Sequence, residues 1–99
     1  ADMATSIEAA RQLILHAAVL KDAGEPCLKQ AAMAKLFAAE MAERVCSDAI
    51  QIHGGNGMAI EYGLADLWFI ARLHKTAPVS REMILNFVSQ HSLGLPKSY

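Results

Sequence analysis

The sequence predicts an all-α protein, an up-and-down bundle of four helices, and three observations lead to this fold class. Apolar residues recur every three or four positions through four long segments, as they do on one face of an α-helix. Glycine or proline separates these segments. No stretch of useful length alternates apolar and polar residues as a half-buried strand does. The short linkers between segments favour antiparallel neighbours.

The first helix is predicted over residues 2–22. The residues at helical spacing on one of its faces are Met3, Ile7, Ala10, Ile14, Ala17 and Leu20. Gly24, followed by Glu25 and Pro26, marks its end, because glycine readily adopts the backbone conformation that terminates many helices.

The second helix is predicted over residues 28–53 and would be roughly 38 Å long. Its apolar stripe consists of Ala34, Ala38, Met41, Val45, Ala49 and Ile52. The small side chains in this stripe would let neighbouring helices approach closely. Four charged residues lie off the stripe and are expected to face water or another chain, namely Lys35, Glu43, Arg44 and Asp48.

Two shorter helices are predicted over residues 64–75 and 79–93. The apolar face of the third helix contains Leu67, Trp68 and Ala71, and that of the fourth contains Met83, Ile84, Phe87, Val88 and His91. Residues 76–78, which include a proline, interrupt the helical pattern between them. Gly94 is predicted to cap the fourth helix, and Pro96 prevents its continuation.

Composition points to missing neighbours and excludes several classes of function. Hydrophobic residues make up 54% of the 99 positions, which is more apolar surface than a bundle of this size needs. Partner chains, or other segments of a longer protein, are the simplest explanation. The formal net charge is −1 and the basic residues are scattered, so no nucleic acid or anionic membrane partner is predicted. The longest uncharged stretch, residues 83–96, is too short and too polar to span a bilayer.

The cysteines indicate the compartment. Cys27 and Cys46 form no Cys-x-x-Cys motif and are predicted to be reduced thiols. The first residues lack the basic and apolar regions of a signal peptide. A cytoplasmic location is therefore predicted, or the mitochondrial matrix in a eukaryote.

No metal site or catalytic nucleophile is predicted from the residues. The four histidines, at positions 16, 53, 74 and 91, are far apart, and none follows a glutamate at the spacing of a di-iron bundle. No Gly-x-Ser-x-Gly motif occurs, and neither cysteine stands beside a histidine.

The most informative stretch is His-Gly-Gly-Asn-Gly at residues 53–57, directly after the longest predicted helix. The local interpretation is a helix cap followed by a turn. Because glycine has no side chain, another molecule can approach the backbone of this loop closely, and the loop is therefore a candidate contact for a cofactor. Because Gly54 and Gly55 follow a helix rather than open one, the helix dipole would not favour a phosphate there. Backbone N–H groups would have to bind any phosphate.

Five segments together identify a resemblance to a known family. They are ADMAT (residues 1–5), EAAR (8–11), AAMAKL (31–36), QIHGGNG (51–57) and EY (61–62). In wording, order and spacing they resemble the C-terminal domain of acyl-CoA dehydrogenases, strongly over residues 1 to about 75 and loosely beyond. The resemblance implies that residues 1–99 are one C-terminal helical-bundle domain, without its first helix, of a longer flavoprotein with an N-terminal helical domain and a middle β domain.

The resemblance also implies a cofactor, a substrate and partners. It implies FAD bound between domains, an acyl-CoA thioester as substrate, and α,β-dehydrogenation as the reaction. It places Gln51, Gly54 and Gly55 against the ADP half of an FAD that a neighbouring subunit largely binds, with Gln51 as a polar contact. The resemblance also implies a homotetramer or a homodimer.

One position departs from the family pattern. In many members a glutamate removes the α-proton, and its position here is occupied by Pro78, which cannot act as a base. No catalytic residue is therefore assigned. The base could lie in an upstream helix, the flavin could serve oxidase or hydroxylase chemistry, or Glu82 could supply the carboxylate. The resemblance also implies that Ser80 contacts FAD, since it stands where family members have a residue that touches the cofactor. The alternative function is a non-catalytic helical interaction module.

Overall fold

The structure, a computed structural model, describes residues 1–98 and is helical throughout its regular elements. The α-helices are α1 (Asp2–Asp22), α2 (Leu28–His53), α3 (Leu64–Leu73) and α4 (Arg81–Leu93). Two short 3-10 helices, Gly54–Met58 and Ile60–Tyr62, connect α2 to α3. Within this range no strand forms, and the predicted all-α fold with four helices is confirmed.

The helix ends agree with the predicted ones to within two residues. Helices α1 and α2 have the predicted bounds, whereas α3 ends at Leu73 and α4 begins at Arg81. The later start of α4 has a local cause, because the Ser80 side chain caps this helix by accepting a hydrogen bond from the Met83 N–H. Gly94 ends α4 with φ 68°, in the left-handed region where glycine is favoured.

Helix α2 is the centre of the fold. Helices α1, α3 and α4 each pack against α2, and within residues 1–98 none of the three packs against another. Arg44 on α2 donates a hydrogen bond to the Ser6 hydroxyl at 2.6 Å, which joins the middle of α2 to the start of α1. The buried apolar residues are mostly alanines: Ala10, Ala17, Ala34, Ala39, Ala71 and Ile84. Small side chains therefore allow close helix packing but leave a thin core.

Much apolar surface remains uncovered. The accessible surface is 6888 Å², whereas a folded monomer of this mass exposes about 5500 Å². The radius of gyration is 15.9 Å, against about 13 Å for a compact domain of this length. These values agree with the expectation from composition that other segments or chains cover part of the surface.

Parts of the predicted core faces are exposed. Ile7 and Ile14 on α1 are 41% and 49% exposed, and Ile52 at the end of α2 is 70% exposed. Ala39, which lies off the predicted stripe of α2, is buried instead. Helical spacing thus identifies apolar positions but does not reveal which of them the fold covers. The structure also corrects the expectation for Lys35 and Glu43, which contact the segment between α3 and α4 rather than water or another chain.

No helix within the described residues combines the length and the apolar character needed to cross a bilayer. Cys27 and Cys46 are both free thiols, as predicted.

Candidate functional site

The glycine loop, residues 53–57, turns the chain at the end of α2. Gly54 terminates the helix with φ 59° and ψ −138°, a conformation that side chains disfavour, and its N–H donates to the Gln51 carbonyl. The chain then enters the 3-10 helix Gly54–Met58. The predicted cap and turn are therefore present, with the turn drawn out into a short helix.

The three glycines of the loop differ in what the fold requires of them. Gly54 needs its positive φ. Gly57 is buried against α2, where an added Cβ would lie 2.6 Å from the Ile50 carbonyl oxygen. Gly55 has no positive φ, is exposed, and has no atom within 4 Å of the position a Cβ would occupy. The chain's own packing thus explains two of the glycines and leaves Gly55 unexplained.

Gln51 lies one helical turn before this loop. Its side chain is exposed, and it makes no hydrogen bond with another residue of the range 1–98. It borders a cleft of about 340 Å³ between the start of α1 and the end of α2, whose lining residues are Ala1, Asp2, Met3, Asp48, Gln51 and Ile52. The structure therefore brings Gln51, Gly54 and Gly55 together at one exposed corner, next to a cleft.

The donors at this corner suit a nucleotide better than a bare phosphate. The Gln51 carboxamide can donate and accept hydrogen bonds, and the glycine loop offers uncharged backbone groups. Asp2 and Asp48 line the neighbouring cleft, and their carboxylates would repel an anion held there. The uncharged hydrogen-bonding groups of an adenosine or ribose would suit these residues, whereas an anionic group would be disfavoured on the side of Asp2 and Asp48.

Ser80 lies elsewhere in the fold. The residue before it accepts a hydrogen bond from Lys35 of α2, and the residue after it forms an ion pair with Glu40. This level of α2 is roughly 20 Å along the helix from Gln51. One copy of the chain therefore presents two separate regions, the glycine corner and the region around Ser80.

Pro78 borders an apolar depression of about 250 Å³ near Ser80. The other residues that line it are Leu28, Ala32, Lys35, Val79, Met83, Ile84 and Phe87. None of these carries a carboxylate. Glu82 is absent from the lining; its side chain is 74% exposed and lies 3.9 Å from Arg81.

An ionic network joins α2 to the segment between α3 and α4, residues 74–81. The Lys35 ammonium donates to the carbonyls of His74 and Val79 at 2.6 and 2.7 Å. Glu40 accepts from Lys75 at 3.1 Å and from Arg81 at 2.6 Å. Sequence reasoning missed this network, because its hydrogen-bonded partners are 32 to 44 positions apart and no local pattern links them.

Titration properties follow from these contacts. Burial, the largest single cause, raises the pKa of Glu40, but hydrogen bonds and charge from Lys75 and Arg81 together outweigh it and lower the pKa below its usual 4.5. The hydrogen bond that Lys75 donates to Glu40 raises the pKa of Lys75 above 10.5, with further help from Glu43. The contacts therefore favour the charged forms of both residues.

The described part of the chain contains no group of three or more His, Cys, Asp or Glu side chains placed to bind a metal ion. Two histidines instead have local partners. The Nδ1 atoms of His53 and His74 lie 2.9 and 2.7 Å from the carbonyl oxygens one turn earlier. The His53 ring also contacts Tyr62 edge-on, at 5.8 Å between centroids.

Comparison with known proteins places these features in context. The family described as "Acyl-CoA dehydrogenase, C-terminal domain" matches residues 1–93. Acyl-CoA dehydrogenase FadE12 of Mycobacterium tuberculosis is 48% identical over 95 residues, which are 94% of this chain and 24% of that protein. Probable acyl-CoA dehydrogenase YngJ of Bacillus subtilis is 56% identical over 73 residues, 74% of this chain and 19% of that protein.

A solved structure is similar over nearly the whole chain. Butyryl-CoA dehydrogenase from Megasphaera elsdenii superposes with a TM-score of 0.88 and 37% identity, over 95% of this chain and 24% of that one. The chain thus spans about a quarter or less of the length of these relatives.

Proposed function

The chain belongs to the acyl-CoA dehydrogenase family, and from that premise we propose that it is the C-terminal helical domain of an FAD-dependent acyl-CoA dehydrogenase. The proposed reaction is α,β-dehydrogenation of an acyl-CoA thioester. The family match over residues 1–93 supports it, as do the relatives named as acyl-CoA dehydrogenases.

The observation that carries the proposal is the open space at Gly55. Nothing within the described chain requires a glycine there, in contrast to Gly54 and Gly57. A molecule outside this chain that approaches the backbone closely would require it. The exposed Gln51 carboxamide, one turn away, would hydrogen-bond the same molecule. We assign this corner to the ADP half of FAD.

The two regions of the chain would have different tasks. Bound FAD would supply the hydride acceptor for the acyl β carbon. Gln51, Gly54 and Gly55 would bind the nucleotide, and the Ser80 region would face a flavin site. The two regions are roughly 20 Å apart along α2, and on the family resemblance we assign them to separate FAD molecules, the first held largely by a neighbouring subunit. A homodimer or homotetramer is proposed on this ground, and the exposed apolar residues of α1 are consistent with it.

The α-proton needs a base that this chain does not supply. Pro78 has no proton-accepting side chain, and Glu82 faces solvent away from the apolar depression that Pro78 borders. We therefore assign the base to a segment outside residues 1–99, where it would be positioned against the acyl chain. The free thiols of Cys27 and Cys46 fit a cytoplasmic location.

A second candidate function, flavin-dependent oxidation with O₂ or hydroxylation, draws on the same observation at Pro78. A depression lined without carboxylates would suit hydroxylation, in which no α-proton is removed at this point. An oxidase would share the FAD site and the need for a base from outside this chain, and would differ from the dehydrogenase in the electron acceptor.

Purification of the full-length protein tests the proposal. It should carry the yellow absorbance of flavin, which acyl-CoA added without oxygen should bleach. Rapid return of the colour with oxygen, together with stoichiometric oxygen consumption, would instead support the oxidase reading. A colourless protein that gains no flavin spectrum when FAD is added would contradict both and favour a non-catalytic interaction module.

A further inference from the structure

The segment between α3 and α4 owes its shape to α2. Together with the first residue of α4 it comprises residues 74–81, which include Pro78 and Ser80. Within residues 1–98 helices α3 and α4 do not pack against each other, so neither helix alone fixes the connection between them. The N–H groups of Thr76 and Ala77 donate to the Leu73 carbonyl and shape the start of the segment, and charged side chains of α2 supply contacts from a third element to the rest.

Lys35 joins the two sides of this segment. Its ammonium hydrogen-bonds the carbonyls of His74 and Val79, at 2.6 and 2.7 Å. His74 follows the last residue of α3, where helix carbonyls lack intrahelical partners and a cation is favoured. The aliphatic stem of Lys35 lines the apolar depression beside Pro78. Lys35 therefore packs against the depression through its aliphatic stem, and its ammonium holds the two carbonyls together by hydrogen bonds.

Glu40 joins the two ends of the same segment. It accepts from Lys75 at 3.1 Å and from Arg81 at 2.6 Å, and the Arg81 N–H donates to the Lys75 carbonyl at 2.9 Å. Glu43, one turn further along α2, contacts Lys75 alone, at 3.3 Å. Each end of the segment is thus tied to one carboxylate on α2.

We infer that Lys35 and Glu40 are positioning residues, which hold residues 74–81 in the conformation that presents Ser80 to the flavin. The inference rests on the proposed function for the identity of the site, and on the hydrogen bonds above for the restraint itself. Since the same helix carries Gln51, α2 also fixes the spacing between the two FAD-facing regions. Neither Lys35 nor Glu40 needs to touch the cofactor for this role.

The test uses the full-length protein with its flavin and compares Lys35→Met with Lys29→Met. Methionine keeps most of the apolar stem of Lys35 and removes the ammonium, whereas Lys29 is exposed in the first turn of α2. Lys35→Met should speed amide hydrogen exchange in residues 74–81 by about tenfold. It should also lower kcat about tenfold through a misplaced site, with flavin content and the KM for acyl-CoA nearly unchanged. Lys29→Met should leave all four quantities unchanged, and Lys35→Arg should restore part of kcat.

Exchange in residues 74–81 and kcat that both stay within about twofold of the wild type in Lys35→Met would overturn the inference. So would a loss of kcat that Lys29→Met reproduces. Glu40→Gln provides the same comparison if Lys35→Met does not fold, and should exceed Glu43→Gln in effect. A full-length protein that binds no flavin would defeat the proposed function and, with it, the flavin role of these residues; the exchange comparison would then still decide whether Lys35 restrains the segment.

Discussion

The corner at the end of α2 and the segment 74–81 beside its first half are built by different physical means. At the corner, Gly54 and Gly57 set the backbone path through conformation and close contact with Ile50, only a few residues away. In the segment, Lys35 and Glu40 hold backbone and side chains about forty positions distant. Steric contacts between residues close in sequence shape the first region. Ion pairs and hydrogen bonds between residues far apart in sequence shape the second.

The difference also concerns what each region offers to other molecules. The corner leaves Gly55 and the Gln51 carboxamide without partners inside the described chain, so it is open to a ligand. In the segment, by contrast, the charged groups of Lys75 and Arg81 form ion pairs with Glu40 of α2. The proposed binding at the corner therefore rests on exposed groups without partners, and the proposed positioning role of α2 rests on the paired charges of the segment.

The largest effect on stability is expected at Gly57. A Cβ there would lie 2.6 Å from the Ile50 carbonyl oxygen and 2.9 Å from its Cα, so Gly57→Ala should lower the free energy of unfolding by about 2 kcal/mol. Urea denaturation of the full-length apoprotein, without FAD, measures this, because bound cofactor would itself add stability. Gly55→Ala is the matched control and should change the value by less than about 0.5 kcal/mol. Equal losses in both variants would mean that the two glycines do not differ as described.

A smaller effect is expected where α4 begins. Ser80→Ala removes the side chain that accepts from the Met83 N–H at 3.4 Å. Because this hydrogen bond is long, the loss of stability should fall at the low end for a helix cap, about 0.5–1 kcal/mol. Ser47→Ala, at an exposed position within α2, should cost nothing measurable. A Ser80→Ala protein as stable as the Ser47→Ala protein would show that the cap contributes little.

The smallest effect is expected from acid. Lys75 and Arg81 hold the pKa of Glu40 below 4.5 against the opposing effect of burial. The unfolded carboxyl therefore takes up its proton at higher pH than the folded one, and the contribution of Glu40 is present above about pH 4.5 and lost as pH falls through the folded pKa. Solvent screening keeps it modest, since the Glu40 side chain is 38% exposed.

Comparing wild type with Glu40→Gln across this pH range checks the acid effect. The difference in stability should be largest near neutral pH and should shrink as pH falls below about 4.5. A difference that stays constant down to pH 3 would contradict the assigned direction of the pKa shift.

Sequence reasoning predicted the helices well because their signals are local. Apolar spacing and the glycines at positions 24, 54 and 94 gave the course of α1, α2 and α4. It predicted less about burial: Ile7, Ile14 and Ile52 lie on apolar faces that this chain does not cover. The spacing of apolar residues predicts which face of a helix is apolar. Whether that face is buried depends on the segments or chains that pack against it, which the spacing does not reveal.

The candidate site divides in the same way. The clustering of Gln51, Gly54 and Gly55 follows from their spacing of one helical turn, which the sequence displays directly. The separation of Ser80 from them, and the contacts of Lys35 and Glu43, depend on how α3 and α4 pack on α2. The distinct role of Gly57 was missed as well, because three glycines in one motif look alike until the position of Ile50 is known.

The central claim is that Gly55 leaves space for FAD, and flavin titration of the full-length apoprotein tests it most directly. Gly55→Val should weaken FAD binding by about tenfold or more and leave the melting temperature of the apoprotein unchanged, since nothing lies within 4 Å of an added Cβ. Ala31→Val, exposed at the other end of α2, is the control and should bind FAD normally. A Gly55→Val protein that binds FAD as tightly as the wild type would contradict the account.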